Sequence, residues 1–170
     1  MKALTEAPAS KTLPSMEQFQ YPFFNKSVLV SYTDEGVTQI SFRNKKVARP
    51  SRTSKVARKI QKILDAYLTD EAPMDAMPID WENLEGTDFQ KKVWKKMSKI
   101  PYGKTKTYGE IAKSLKSPGA ARAVGTACAK NPVLLAIPCH RVVGSTGLGG
   151  FSGGGLPVKR KLLDLENTTY

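Results

Sequence analysis

The stretch Tyr108–Asn131, YGEIAKSLKSPGAARAVGTACAKN, decides how this chain is read. Its first part, YGEIAKSL (108–115), has the length and spacing of a two-turn helix. KSPG (116–119) breaks that helix with a proline and a glycine. AARAVGTACAKN (120–131) resumes helical character with small residues throughout. Two short helices around a tight turn, the second lined with alanine and glycine, read as a helix-turn-helix. Small side chains let the second helix approach another surface closely. An αα-corner packed into a core would show the same spacing, so pattern alone leaves both readings open.

Charge separates them. The 170 residues carry a formal +12. Residues 1–83 hold 12 Lys/Arg and 10 Asp/Glu, a net of +2, and residues 84–170 hold 15 and 5, a net of +10. The basic excess thus belongs to the half containing the helix pair, where phosphate backbones or anionic membranes would be attracted. With Arg122 in the middle of the second helix, DNA is the favoured partner. No stretch approaches the length of a membrane span, and nothing at the N-terminus resembles a signal peptide. Two cysteines make no disulfide framework, so a reducing, intracellular setting (cytoplasm or nucleus) is expected.

Outward toward the N-terminus, TDFQKKVWKKMSKI (87–100) sets Phe89, Val93, Trp94 and Met97 on one face, with Thr87 or Asp88 available as N-cap. Residues 70–85 hold Pro73, Pro78 and six acidic side chains and read as a linker. Before it, TSKVARKIQKILDAYLT (53–69) repeats Val56, Ile60, Ile63, Leu64 and Tyr67 at helical spacing. SVLVSYTDEGVTQISFRN (27–44) alternates apolar and polar residues around Asp34-Glu35-Gly36, the pattern of a β-hairpin. Residues 1–16 lack an apolar run, and the segment 1–20 reads as a flexible tail. The expected organisation is an N-terminal α/β domain over 1–85 and a mostly helical domain over 86–170.

Outward toward the C-terminus lies LLAIPCHRVVG, an apolar, strand-like run holding Cys139 and the chain's only histidine, His140. A cysteine in such a run is usually a small buried hydrophobe. Here a proline precedes it, a histidine follows, and seven of the thirteen glycines lie just behind, between Gly144 and Gly155. A thiol attacks as thiolate, so it needs a nearby base or dipole. His140 is the available imidazole, and an acid such as Glu166, at the end of the amphipathic helix PVKRKLLDLE, would orient it. Cys128 lacks such a setting and reads as a packing residue on its helix. Structural zinc needs four ligands, and Cys and His together supply three. GLGGFSGGG lacks the lysine of a phosphate-binding loop. No metal or cofactor is expected.

These residues resemble the O6-alkylguanine-DNA alkyltransferases. The resemblance runs over 86–166, through GTDFQKKVW, IPYGKTKTYGEIA, AARAVGTACAKNP, IPCHRVV, the glycine loop and VKRKLLDLE. It implies a ribonuclease-H-like N-terminal domain and a winged helix-turn-helix domain carrying the reactive cysteine. Their partner would be duplex DNA containing O6-alkylguanine, bound by a monomer with scope for cooperativity. The activity implied is irreversible, one-to-one transfer of the alkyl group to Cys139 from a nucleotide flipped out of the duplex.

In that scheme His140 acts as base through a bridging water, Glu166 orients it, and Asn131 braces the turn. Tyr108 donates a hydrogen bond to the leaving guanine. Arg122 fills the gap in the stack, with Ala121 and Gly125 facing DNA. Phe151, Ser152, Val142 and Cys128 line the pocket. The backbone carbonyls of Cys139 and Val142 would accept from the guanine amino group, and the Ser152 amide would face O6. The sequence departs from the family's pattern at Phe151, where members often carry tyrosine, and in SGGG, one glycine longer than usual. A non-catalytic winged-helix regulator would leave PCHRVV unexplained. A cysteine hydrolase would leave the recognition helix idle.

Overall fold

The computed structural model describes residues 15–50 and 54–169. Residues 1–14 of the expected tail, and Thr53 at the head of the expected helix, lie outside them.

Three antiparallel strands open the fold: β1 (Glu17–Phe23), β2 (Lys26–Tyr32) and β3 (Val37–Arg43), in that spatial order. The hairpin expected over 27–44 is β2–β3, closed by Thr33 and Gly36 hydrogen-bonding to each other's backbone. Gly36 sits at φ 150°, and a Cβ there would lie 2.7 Å from the Pro78 carbonyl oxygen. Glycine is required on both counts. β1 corrects the tail expectation, because residues 17–20 are strand. Phe19, Tyr21 and Phe23 alternate inward there, a period-two signal that polar neighbours concealed.

Helix α1 (Lys55–Leu68) is capped by Ser54 and lays Ala57, Ile60, Leu64 and Tyr67 into the sheet-side core. The segment 70–85 joins the two halves but is no loose linker. Met74, Met77 and Leu84 are buried, and residues 78–80 pair with Val37 on the open edge of β3. Residues 132–134 cover the same edge farther along, through Ile40. Two backbone segments thus satisfy donors and acceptors that an edge strand would leave open.

The second half is helical. In α2 (Asp88–Met97), Thr87 and Gln90 form a capping box. Val93, Trp94 and Met97 are buried, and burying a side chain of this kind stabilises by about 1.5–3 kcal/mol. Trp94 Nε1 donates to the Ala127 carbonyl at 2.8 Å, fixing α2 against α4 (Ala121–Ala129). α3 (Tyr108–Ser114) follows the two-residue strand β4 (Lys106–Thr107), which pairs in parallel with β5 (Val142–Val143). The chain ends in α5 (Gly155–Leu165), with Glu166 as its C-cap.

The run LLAIPCHRVVG is not a strand. Val133 bridges Ile40, Leu134 to Ala136 turn, Cys139–Arg141 form a 3-10 turn, and only Val142–Val143 are strand. Pro132 and Pro138 bring no N–H to a ladder, so hydrophobicity here reflects burial without extension.

Candidate active site

Asn131, just past the end of α4, organises the turn that delivers Cys139. Its Oδ1 accepts from the Val133 N–H at 3.0 Å. Its Nδ2 donates to the Ile137 carbonyl at 2.6 Å and to Cys139 Sγ at 3.2 Å. Between these anchors Leu135 is held at φ 72°, a left-handed conformation that a branched side chain avoids. One amide therefore ties down both the turn and the sulfur.

Cys139 closes the inner end of a cavity of about 270 Å³ lined by Tyr108, Gly125, Cys128, Ala129, Gly150, Phe151 and Ser152. Burial pushes its thiol up to about 11, against the lowering influence of Asn131 and Lys159. The resting group is thus a thiol at neutral pH. Cys128 lines the cavity as well, yet its Sγ rests 3.3 Å from Met97 Sδ, and burial raises it to about 12. Cys128 thus packs on Met97 and faces the cavity. The Val142 side chain is fully buried and does not line the cavity, which corrects its expected place in the pocket wall and leaves only its backbone carbonyl, which accepts from Lys159 Nζ at 2.6 Å.

His140 is fully buried, and its Nε2 lies 2.7 Å from Glu166 Oε1. Burial alone would raise the Glu166 pKa, but hydrogen bonds and charge from His140 and Arg141 hold it at about 2. The carboxylate is therefore ionised and only accepts, which places the hydrogen of a neutral imidazole on Nε2. Nδ1 keeps the lone pair, and it is buried with no hydrogen-bond partner among the described residues. Burial also lowers the His140 pKa, with Glu166 opposing. The arrangement is a neutral base, oriented by an acid and aimed by its second nitrogen.

Three side chains here escaped the sequence reading. Arg141 clamps Glu166 through Nε (2.7 Å) and Nη2 (3.0 Å) and donates through Nη1 to the Ile100 carbonyl at 2.6 Å. Tyr67 donates to Glu166 Oε1 at 2.7 Å. Lys159 is wholly buried and donates to the carbonyls of Val142, Leu148 and Gly150, stapling the glycine loop beside the cysteine. A charged residue within an apolar run was the available signal for Arg141. Tyr67 and Lys159 sat on ordinary amphipathic helices and gave none.

The cavity's outer wall is Tyr108, half-buried at the start of α3. Gly149 sits at φ 66°, and a Cβ there would lie 2.8 Å from the tyrosine oxygen, so the loop can lie against Tyr108 only with glycine at this position. Phe151 forms another wall, edge-on to Phe42 of β3 at 6.5 Å between ring centroids. Outside Tyr108 runs an open groove along α4 lined by Ala121, Arg122, Gly125, Thr126 and Ala129. Tyr108 and Gly125 belong to both spaces, so groove and cavity adjoin. Arg122 is exposed on it. Among the described residues no three His, Cys, Asp or Glu side chains gather to hold a metal, and no helix is long and apolar enough to cross a membrane.

Residues 88–168 match the family described as the 6-O-methylguanine DNA methyltransferase DNA-binding domain. A methylated-DNA–protein-cysteine methyltransferase of Methanosarcina acetivorans is 39% identical over 147 residues, covering 83% of this chain and 92% of the relative. A protein of the same name from Mycobacterium bovis is 50% identical over 106 residues, which are 62% of each chain. The chain thus spans less than two thirds of that relative. A structure of the Mycobacterium tuberculosis OGT in complex with DNA superposes with a TM-score of 0.74 at 37% identity, covering 87% of this chain and 91% of that one.

Proposed function

This chain belongs to the methylated-DNA–protein-cysteine methyltransferase family, and from that premise we propose that it repairs O6-alkylguanine in duplex DNA by moving the alkyl group onto Cys139. The observation that carries the reading is the cavity ended by Cys139 and walled by Tyr108, opening beside the α4 groove that holds Arg122. A flipped nucleotide passes from such a groove into such a cavity, and a base within a duplex is otherwise out of reach.

Each side chain then has one task. His140 Nδ1 takes the Cys139 proton through a water, and Glu166 keeps the imidazole oriented and stabilises it once charged. The thiolate attacks the alkyl carbon in line. An S–C bond forms and the C–O6 bond breaks, its electron pair passing to the guanine, to which Tyr108 donates a hydrogen bond. The Ser152 amide and the carbonyls of Cys139 and Val142 read the edge of the base. The Val142 carbonyl has a second lone pair beside the one Lys159 occupies. Residues 1–85 act as a ribonuclease-H-like unit and 86–170 as a winged helix-turn-helix. That division is supported by the sheet with α1 in one half and by α3–α4 with the β4–β5 pair in the other. The protein acts as a monomer, with scope for cooperative binding on DNA.

A thioether is not hydrolysed at a useful rate, and Cys128, the other thiol of the cavity, is held protonated by burial at about 12. Excess duplex containing O6-methylguanine should therefore load one methyl group per molecule and stop, as read by intact-protein mass. Repeated turnover without retained mass would mean a hydrolase. Binding without change in either partner would mean a regulator.

Arg122 carries a second expectation. Arg122→Ala should slow repair of duplex by roughly ten-fold or more, because unstacking costs a few kcal/mol and each 1.4 kcal/mol is a factor of ten. Transfer from the free base O6-benzylguanine should stay within about two-fold, since no nucleotide is flipped. Equal losses on the two substrates would remove Arg122 from the stack-filling role.

A further inference from the structure

One oxygen of Glu166 serves three donors from two ends of the chain. Oε1 accepts from His140 Nε2 at 2.7 Å, from Arg141 Nη2 at 3.0 Å and from the Tyr67 hydroxyl at 2.7 Å. Oε2 accepts from Arg141 Nε at 2.7 Å and, at 3.4 Å, from the Gly103 N–H. Tyr67 comes from α1, 99 positions away in sequence, and is fully buried. A buried tyrosine needs some acceptor, and a backbone carbonyl would satisfy it. This one instead shares the same oxygen as the catalytic histidine. Donors crowded on one oxygen compete, so each weakens the hold of the others.

We propose that Tyr67 is a positioning residue for alkyl transfer: by occupying Glu166 Oε1 it limits how strongly that carboxylate draws on His140, and so keeps Nδ1 a neutral base. The inference rests on the transfer reading given above. An ionised Glu166 with fewer donors would stabilise imidazolium, and an imidazole that already carries a second proton cannot take one from Cys139. Burial, then the charge of Glu166, pushes the Tyr67 phenol well above its ordinary range, so it remains a donor throughout working pH.

The other charged and titratable groups around the pair are fixed in known places. Arg141 clamps both Glu166 oxygens, and its Nη1 lies 3.9 Å from Asp75. Tyr102 lies close enough to interact with Glu166 and Arg141, and its hydroxyl is committed to Asp70 and the Leu165 carbonyl. Lys159 opposes a positive charge on His140 and favours the Cys139 thiolate. None of these contacts shares the Tyr67 hydroxyl, so its removal alters one interaction of the set.

Tyr67→Phe tests this, because the ring keeps its packing on Phe23 and Tyr102 while the donor is lost. His140 is the only histidine, so its imidazole signals are unambiguous in untagged protein. The Nε2–H resonance should move downfield in the variant as its acceptor becomes more basic. The acid limb of the transfer rate with O6-benzylguanine should move to higher pH by about half a unit to one unit, the scale of one ordinary hydrogen bond, since the loss at Glu166 reaches His140 only in part. An unchanged resonance, with only a lower unfolding temperature, would reduce Tyr67 to packing and overturn the proposal. A moved resonance with an unmoved rate profile would overturn the role given to Tyr67 in transfer. A wild-type protein that transfers no alkyl group at any pH would bring down the transfer reading itself. The resonance would still report whether Tyr67 governs His140. Should Tyr67→Phe unfold, Tyr67→His is excluded as a probe because it adds a second imidazole, and Tyr67→Met, a long, adaptable apolar side chain with no hydrogen-bond donor, gives the same readout.

Discussion

Cys139→Ser loses alkyl transfer completely, a fall on the order of a million-fold, the scale reached when a nucleophile is removed from a site that otherwise stands. Serine is close in size, and the Asn131 amide that now donates to sulfur at 3.2 Å can donate to a hydroxyl instead, so fold and lesion binding should survive. Peptide mapping of methylated wild type should place the label on Cys139 and leave Cys128 bare. Both thiols line the same cavity, and burial raises both. The distinction between them is geometric. Cys139 is the direct chain neighbour of His140, whose Nδ1 is buried without a hydrogen-bond partner, while Cys128 is turned onto Met97. A thiol at about 11 also fixes the sign of the pH effect. Wild-type transfer should rise as His140 loses its proton, and rise again only as direct ionisation of the sulfur sets in far above neutrality. A label on Cys128, or transfer retained by the serine variant, would sink the assignment.

How much of this was legible in the sequence depends on whether a residue announces itself locally. The α3–turn–α4 unit did, because proline, glycine and small residues act through the backbone of their own segment. His140 and Glu166 were paired from the chemistry a thiol requires, and they stand 2.7 Å apart. Arg141, Lys159 and Tyr67 were missed because their significance lies in partners brought together by the fold. Tyr67 repeats at helical spacing like any core residue, and only tertiary structure directs its hydroxyl to a carboxylate across the molecule. The apolar run before Cys139 misled for a related reason. Burial and extension produce the same hydrophobic pattern, and Asn131 decides between them by side-chain hydrogen bonds that a periodicity does not contain.

Glu166 concentrates the largest expected stability effect as well as a catalytic one. Its side chain is wholly buried, between an imidazole and a guanidinium that is itself almost wholly buried. Glu166→Gln keeps the shape but removes the charge, and it turns one acceptor into a donor that faces donors. Removing one partner of a buried pair costs about 3–5 kcal/mol, because the remaining charge is left uncompensated. The urea midpoint should therefore fall sharply while the slope of unfolding stays near wild type. The pH dependence follows from the directions of the shifts. Glu166 is ionised in the fold down to about 2 against an ordinary 4.5, so its stabilisation is complete above 4.5 and is lost as pH falls toward 2. His140 is lowered from 6.5, so the unfolded chain binds its proton first and stability begins to fall below that point. Wild type should thus weaken in two stages on acidification, the first below about 6.5 and the second between 4.5 and 2. Glu166→Gln should lose its share of the second stage, leaving a shallower acid limb carried by Asp80 and Glu110, whose hydrogen bonds also hold them below the ordinary carboxylate range. Urea unfolding at a series of pH values reads both quantities. Parallel curves for the two proteins would show that Glu166 does not carry the acid sensitivity, and the tight clamp around it would then have to be maintained by Arg141 and its carbonyl partner alone.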